Sequence, residues 1–194
     1  MDIAKIFKKM LSSSNTNKEQ ILTDLKILDF KVVSYTNNRL YWWRLPNCEL
    51  TFIAKNGQTY TACSNFGEFE PFLTINIKDL DDVHNRVIAR IDNSTTDSFE
   101  LRYDRIDVQE NLRKSGIGYT LQDMMIKICF LVAEENNVIF KRIHGIIGTD
   151  ADDDPESSMK LYKKFDNKTY NNHKLALNWN GFNAKECNLE YFIS

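Results

Sequence analysis

Downstream of Val108, and just ahead of a long apolar-periodic stretch, stands the run Arg113-Lys114-Ser115-Gly116-Ile117-Gly118. Its residue types suit the binding of a diphosphate. Glycine lets the main chain come close to a ligand, and the first N–H groups of a helix have no acceptor within it. With the positive end of the helix dipole and two cationic side chains alongside, such a turn attracts phosphate oxygens. A plain strand-to-helix turn that uses glycine only for its geometry has the same Gly-x-Gly, so the flanking elements must decide. A Walker A loop would end in Gly-Lys-Ser/Thr and a dinucleotide fingerprint would read Gly-x-Gly-x-x-Gly. Neither pattern occurs here.

The flanks, residues 98–137, read as strand, tight turn and helix. Phe99, Leu101 and Tyr103 share one parity whereas Ile106 and Val108 share the other. A β-bulge near Asp104 would account for that switch. After the turn, Ile117, Leu121, Met124, Met125, Ile128, Leu131 and Val132 mark one face of a helix of roughly five turns.

Arg-x-x-Gly-x-Gly after a strand ending in Val and before a long amphipathic helix closely resembles the coenzyme A signature of the GNAT acetyltransferases. The resemblance covers residues 98–137 well and 138–165 loosely; the N-terminal half shows none. It implies an α/β (α+β) fold with a mixed, mostly antiparallel twisted sheet, flanking helices and an N-terminal helical extension. Acetyl-CoA would be the co-substrate, with Ile106, Val108, Arg113, Lys114, Ser115, Gly116, Ile117 and Gly118 binding it and no metal required. In that family the bulged strand splays from its neighbour and its backbone holds the pantetheine arm, so Ile106 and Val108 would contribute main chain. Residues 157–167 resemble the family's next helix, which puts Tyr162 where a general acid for the coenzyme A thiolate often stands. The family's usual Lys-x-Gly-Phe is here Lys163-Lys164-Phe165-Asp166, without the glycine. Leu161, Tyr162 and Phe165 also have the spacing of a core face.

An attacking amine must lose a proton, and a carboxylate or an ordered water near the splayed strand is the usual base. Glu100 is the first candidate, because its separation from Arg113 is similar to that of the glutamate base in the histone-acetyltransferase branch; Asp104 and Asp107 compete with it. Backbone N–H groups near the bulge would polarise the thioester carbonyl. The acidic run Asp150, Asp152, Asp153, Asp154 and Glu156 suits the start of a helix. A calcium loop is excluded by Pro155 and Leu161 at the positions that need glycine and a bidentate acid. The same charges would also concentrate a cationic amine.

The elements that must position these residues begin with an extension, 1–30. Ile3, Ile6, Phe7, Met10 and Leu11 form one helical stripe; Thr16 with Glu19 makes a capping box for a second helix carrying Ile21, Leu22, Leu25 and Leu28. The acyltransferase domain would span 31–194. Strand-like runs occupy Lys31 to about Val108, with Asn56-Gly57 as a type I′ hairpin turn and Tyr41-Trp42-Trp43 alternating across a two-faced sheet. Residues 138–148 read as a buried strand, and the tail supplies two more, joined by Asn180-Gly181 and Phe182-Asn183-Ala184.

A chain of 194 residues, 42% hydrophobic, can bury the core of one domain. A formal charge of -2 gives no basic footprint for nucleic acid. Cys48, Cys63, Cys129 and Cys187 lie far apart without metal-ligand spacing and read as reduced thiols. His84, His144 and His173 read as structural. Nothing resembles a signal peptide or a membrane span, so the expected location is cytoplasmic. The resulting expectation is an N-acetyltransferase acting on a primary amine of a small molecule or protein. An inactive GNAT-like binding or regulatory module, a toxin-like or protein-modifying enzyme, and a homodimer all stay open.

Overall fold

The computed structural model describes residues 26–80, 84–92, 94–148, 160–183 and 186–193. The strands are β1 (Lys26–Asn37), β2 (Arg44–Ile53), β3 (Thr59–Phe66), β4 (Phe72–Ile77), β5 (Asn85–Asp92), β6 (Ser98–Val108), β7 (Ile139–Gly148), β8 (Thr169–Tyr170), β9 (His173–Asn183) and β10 (Glu186–Ile193), with one long helix, α1 (Ile117–Asn136), between β6 and β7. They form one sheet in the order β1-β2-β3-β4-β5-β6-β7-β10-β9-β8. Every neighbouring pair is antiparallel except β6 with β7, which runs parallel because α1 carries the chain back. The fold is therefore α/β with a mixed, mostly antiparallel sheet.

Alternation decides which face is core. In β4, Leu73, Ile75 and Ile77 are buried while Phe72, Thr74 and Asn76 are only partly so; in β5, Val87, Ala89 and Ile91 are buried. Helix α1 lies across these faces, packing on β2 and β4 to β7. Its residues from Thr120 to Val132 are all buried, including Gln122, Asp123 and Lys127, so a second structure covers the side away from the sheet.

Four local expectations are corrected. Strand begins at Lys26 rather than Lys31, and Leu28 lies in β1, at a register shift between Ile27 and Asp29, instead of on a helix. The remainder of the proposed extension, 1–25, lies outside the described residues. Tyr41-Trp42-Trp43 forms the turn between β1 and β2: Trp42 has φ 59 and is 88% exposed, whereas Trp43 is buried against Phe99. Asn38 supports that turn by accepting from the N–H groups of Leu40 and Tyr41, which overrides the strand propensity of the aromatics. At Asn56-Gly57 only the glycine has positive φ, 79°, and its N–H donates to Ala54. A type I′ turn would need both residues there, so this is the longer loop ending in a left-handed glycine. Asn180 and Gly181 lie inside β9, where Gly181 is the unpaired residue of a register shift, and the hairpin turn comes after Asn183.

Candidate functional site

The bulge falls where parity requires it. Along β5 and β6, Ile88 faces Arg105 and Ala89 faces Tyr103, which leaves Asp104 without a cross-strand partner. The extra residue brings Ile106 and Val108 round to the α1 side: a Cβ on Gly118 would stand 3.4 Å from Val108 Cγ2 and 3.6 Å from Ile106 Cδ1. The parallel ladder ends at the same point, its last pair being Tyr103 with Gly145. A Cβ on Gly145 would lie 2.6 Å from the Tyr103 carbonyl oxygen, so the strands touch closely just before they part. Beyond it β6 stays paired with β5 and β7 with β10, and their facing edges diverge. That splay leaves a length of β6 main chain, up to Val108, for a ligand rather than a strand.

At its end, Leu112 closes a short turn and the chain enters α1 through Lys114, φ 67, and Gly116, φ 91. Gly116 is the N-cap; it supplies no side-chain cap, and the first turn holds no acidic residue. The helix mouth is thus a positive dipole end with no carboxylate in its own first turn; the Ser115 hydroxyl accepts from the Ile117 N–H at 3.4 Å. Ser115 is buried and turned inward, its hydroxyl donating to Leu112 O at 2.5 Å, while Arg113 and Lys114 are exposed. Lys55 N–H, from the β2–β3 turn, donates to Ser115 O and braces the loop. Ile117 is fully buried in the core beneath it.

Tyr162 belongs to a helical turn over 160–163, and its neighbour Leu161 approaches Gly118. Its ring meets Tyr103 edge-on with centroids 5.7 Å apart, which sets it at the vertex of the splay, on the α1 side. Burial pushes its hydroxyl pKa up to about 12 against the opposing hydrogen bond with Tyr103, so the group keeps its proton.

The other face of the same strands is charged. Glu100 accepts an ion pair from Arg142 Nε at 2.9 Å and lies 3.6 Å from His144 Nε2. Asp104 pairs with Arg102 at 3.3 Å, and Asp107 with Arg105 at 2.7 Å. His144 stands one residue before Gly145, its Nε2 buried and without a hydrogen-bond partner. Burial, then Arg142, lower its pKa; Glu100 and Asp92 oppose them and Arg102 adds to the lowering. The imidazole is accordingly held neutral at neutral pH.

This is a GNAT-like arrangement: bulged strand, tight glycine turn, long helix, and a parallel strand that splays away. No protein-family model matches the chain, and none of the curated proteins does. Among solved structures it is similar to Arabidopsis thaliana NAA60 in complex with a bisubstrate analogue, with 14% identity over 63% of this chain and 77% of that one and a TM-score of 0.41. It is also similar to Ard1 from Thermoplasma volcanium, with 18% identity over 63% and 69% and a TM-score of 0.34. Arabidopsis thaliana NAA60 in complex with acetyl-CoA gives 12% identity over 77% and 75%, with a TM-score of 0.33.

The structure sets Ile106, Val108 and Leu161 about Gly118, Tyr162 against Tyr103, and Arg113 to Gly118 in the turn that enters α1, with Ser115 and Ile117 buried; Glu100 is on the opposite face of β6 within an ion pair. The acidic run 150–156 lies outside the described residues. Among the described residues no group of three His, Cys, Asp or Glu could hold a metal, and no helix is long and apolar enough to cross a membrane. Sequence reasoning read His144 as structural and gave no sign of its place beside the vertex. Its signal was weak: a single histidine inside a strand, informative only once Gly145 is known to mark the vertex.

Proposed function

We propose that this chain is an acetyl-CoA-dependent N-acyltransferase of the GNAT type, passing the acyl group directly to a primary amine. The observation that carries the proposal is the mouth of α1, without an acid in its first turn, lying beside the unpaired edge of β6. The mouth suits a diphosphate, with Arg113 and Lys114 alongside; the edge suits an amide-bearing arm; Gly116 and Gly118 give both close approach.

Acetyl-CoA supplies an activated acyl group, and the splay lets it be reached from the far face. There His144, neutral, takes the proton the amine must lose, and the Glu100 carboxylate stabilises the imidazolium that results. Glu100 thus backs the base in place of serving as it. The carbon–nitrogen bond forms as the carbon–sulfur bond breaks, and Tyr162, still protonated, gives its proton to the departing thiolate. A second reading, a module that binds coenzyme A without turnover, draws on the missing glycine after Tyr162.

Calorimetric titration with acetyl-CoA tests the proposal. The unmodified protein should bind saturably, and the Gly116→Asp, Arg113→Glu double variant, which sets negative charge at the helix mouth, should not. Equal binding by both would sink the cradle. Saturable binding with no transfer to any of a panel of primary amines would favour the second reading.

A further inference from the structure

Behind α1, away from the sheet, is a charged cluster that the transfer chemistry does not use. Tyr119, Asp123 and Lys127 follow one another at i, i+4, i+8 along one helix face. Asp123 is buried and carries two ammonium groups, Lys127 Nζ at 2.5 Å and Lys168 Nζ at 2.6 Å. Tyr170 Oη also donates to it at 2.7 Å, and Lys168 donates in addition to Tyr119 Oη at 2.5 Å. Rings enclose the Lys168 ammonium, with centroids 4.8 Å away at Tyr119, 5.1 Å at Phe165 and 5.1 Å at Tyr170. Burial raises the Asp123 pKa, but the two lysines outweigh it and hold the carboxyl well below its usual range.

We propose that Lys168, docked on Asp123, is a positioning residue that holds Tyr162 at the vertex of the β6–β7 splay. The proposal rests on the acyl-transfer reading of the cleft. The link from Lys168 to Tyr162 is continuous: Lys168 N–H donates to Phe165 O, and Phe165 N–H donates to Tyr162 O. The Phe165 ring stacks on Tyr119 at 4.8 Å, one helical turn from Asp123. Asn167, φ 60, turns the chain so that its N–H reaches Leu175 O while Leu175 N–H reaches Lys168 O, tying the same segment to β9.

Stability alone does not explain the charge. A buried ion pair is often replaceable by apolar residues of similar volume without loss, whereas it discriminates sharply between registers. Stacked rings would hold this segment against α1 yet let it slide. An ammonium fixed between a carboxylate and a phenol allows one position, and thereby one position of Tyr162, six residues back and fully buried.

The test compares binding of coenzyme A and desulfo-coenzyme A, which differ only at the sulfur Tyr162 faces in this reading. The unmodified protein should bind coenzyme A several-fold more tightly. That ratio should fall to about one in Tyr162→Phe and in Lys168→Met, and largely return in Lys168→Arg. General loosening would weaken both ligands together and leave the ratio alone. Should Lys168→Met fail to fold, Tyr119→Phe removes one of the ammonium's oxygen partners and should lower the ratio part-way. If the unmodified protein discriminates and both the Lys168→Met and Tyr119→Phe variants do too, the positioning role is overturned while the cleft reading stands. If the unmodified protein binds neither ligand, the cleft reading falls and the positioning role with it; if it binds both equally, the cleft reading stands and the positioning role is overturned.

Discussion

The two faces of the β6–β7 pair differ in chemistry: one is apolar and buried, the other charged and half-buried. On the α1 side, β6 and β7 meet at Tyr103 and Gly145, and Tyr162 closes over them in an apolar, buried setting. On the far side, Glu100, Arg102, Arg142 and His144 form a half-buried mesh of charges. The same backbone therefore presents a group that keeps its proton and, across the sheet, a group ready to take one. Surroundings make this assignment, since burial raises a phenol pKa but lowers an imidazole pKa. A splay at their common vertex is what would let a single reaction use both.

The sharpest way to break the comparison is to remove the acceptor. His144→Gln keeps a polar side chain of similar reach but cannot hold a proton, and transfer should fall by about 10²–10⁴-fold while acetyl-CoA affinity changes little. Thiol release at saturating acetyl-CoA and a reactive primary amine measures it; an unchanged rate would return the base to Glu100 or to water. A smaller loss is expected on the other face. Tyr162→Phe should slow transfer about tenfold, because a thiolate with an ordinary pKa near 8.5 leaves well without an acid. No alkaline limb belonging to Tyr162 should appear below pH 11 in the unmodified protein, since its hydroxyl titrates only at about 12.

The local structure of the proposed cofactor side was legible in the sequence. A bulge reverses strand parity, and Phe99, Leu101, Tyr103 followed by Ile106 and Val108 displays that reversal in one dimension. The glycine turn and apolar helix stripe are local as well. The cluster on the proposed acceptor side was not legible, because His144, Arg142 and Glu100 become neighbours only through the register of a parallel pair joined by a twenty-residue helix. Asp123 shows the opposite case. An i, i+4 Asp–Lys spacing is common on exposed helix faces, so the sequence carries no sign of burial here; the packing of Lys168 and Tyr170 buries the pair. At Trp42 the fault lay in reading β propensity where a buried asparagine organises a turn.

The smallest effects separate the charges that tune His144. With its pKa lowered, His144 is neutral over the plateau, and transfer should decline on the acid side as pH falls through that lowered value and the imidazole gains a proton. Arg142→Gln removes a cation that disfavours the imidazolium and frees Glu100 to favour it, so the acid limb should move to higher pH. Glu100→Gln does the reverse: the anion that favours the imidazolium is lost, and the limb should move to lower pH. Each displacement should be about one unit or less, because these side chains are only half-buried and water screens them. Rate profiles of the two variants would decide the matter by sign rather than size. If both limbs moved in the same direction, the titrating group would not be His144, and the far face would lose its claim to the proton.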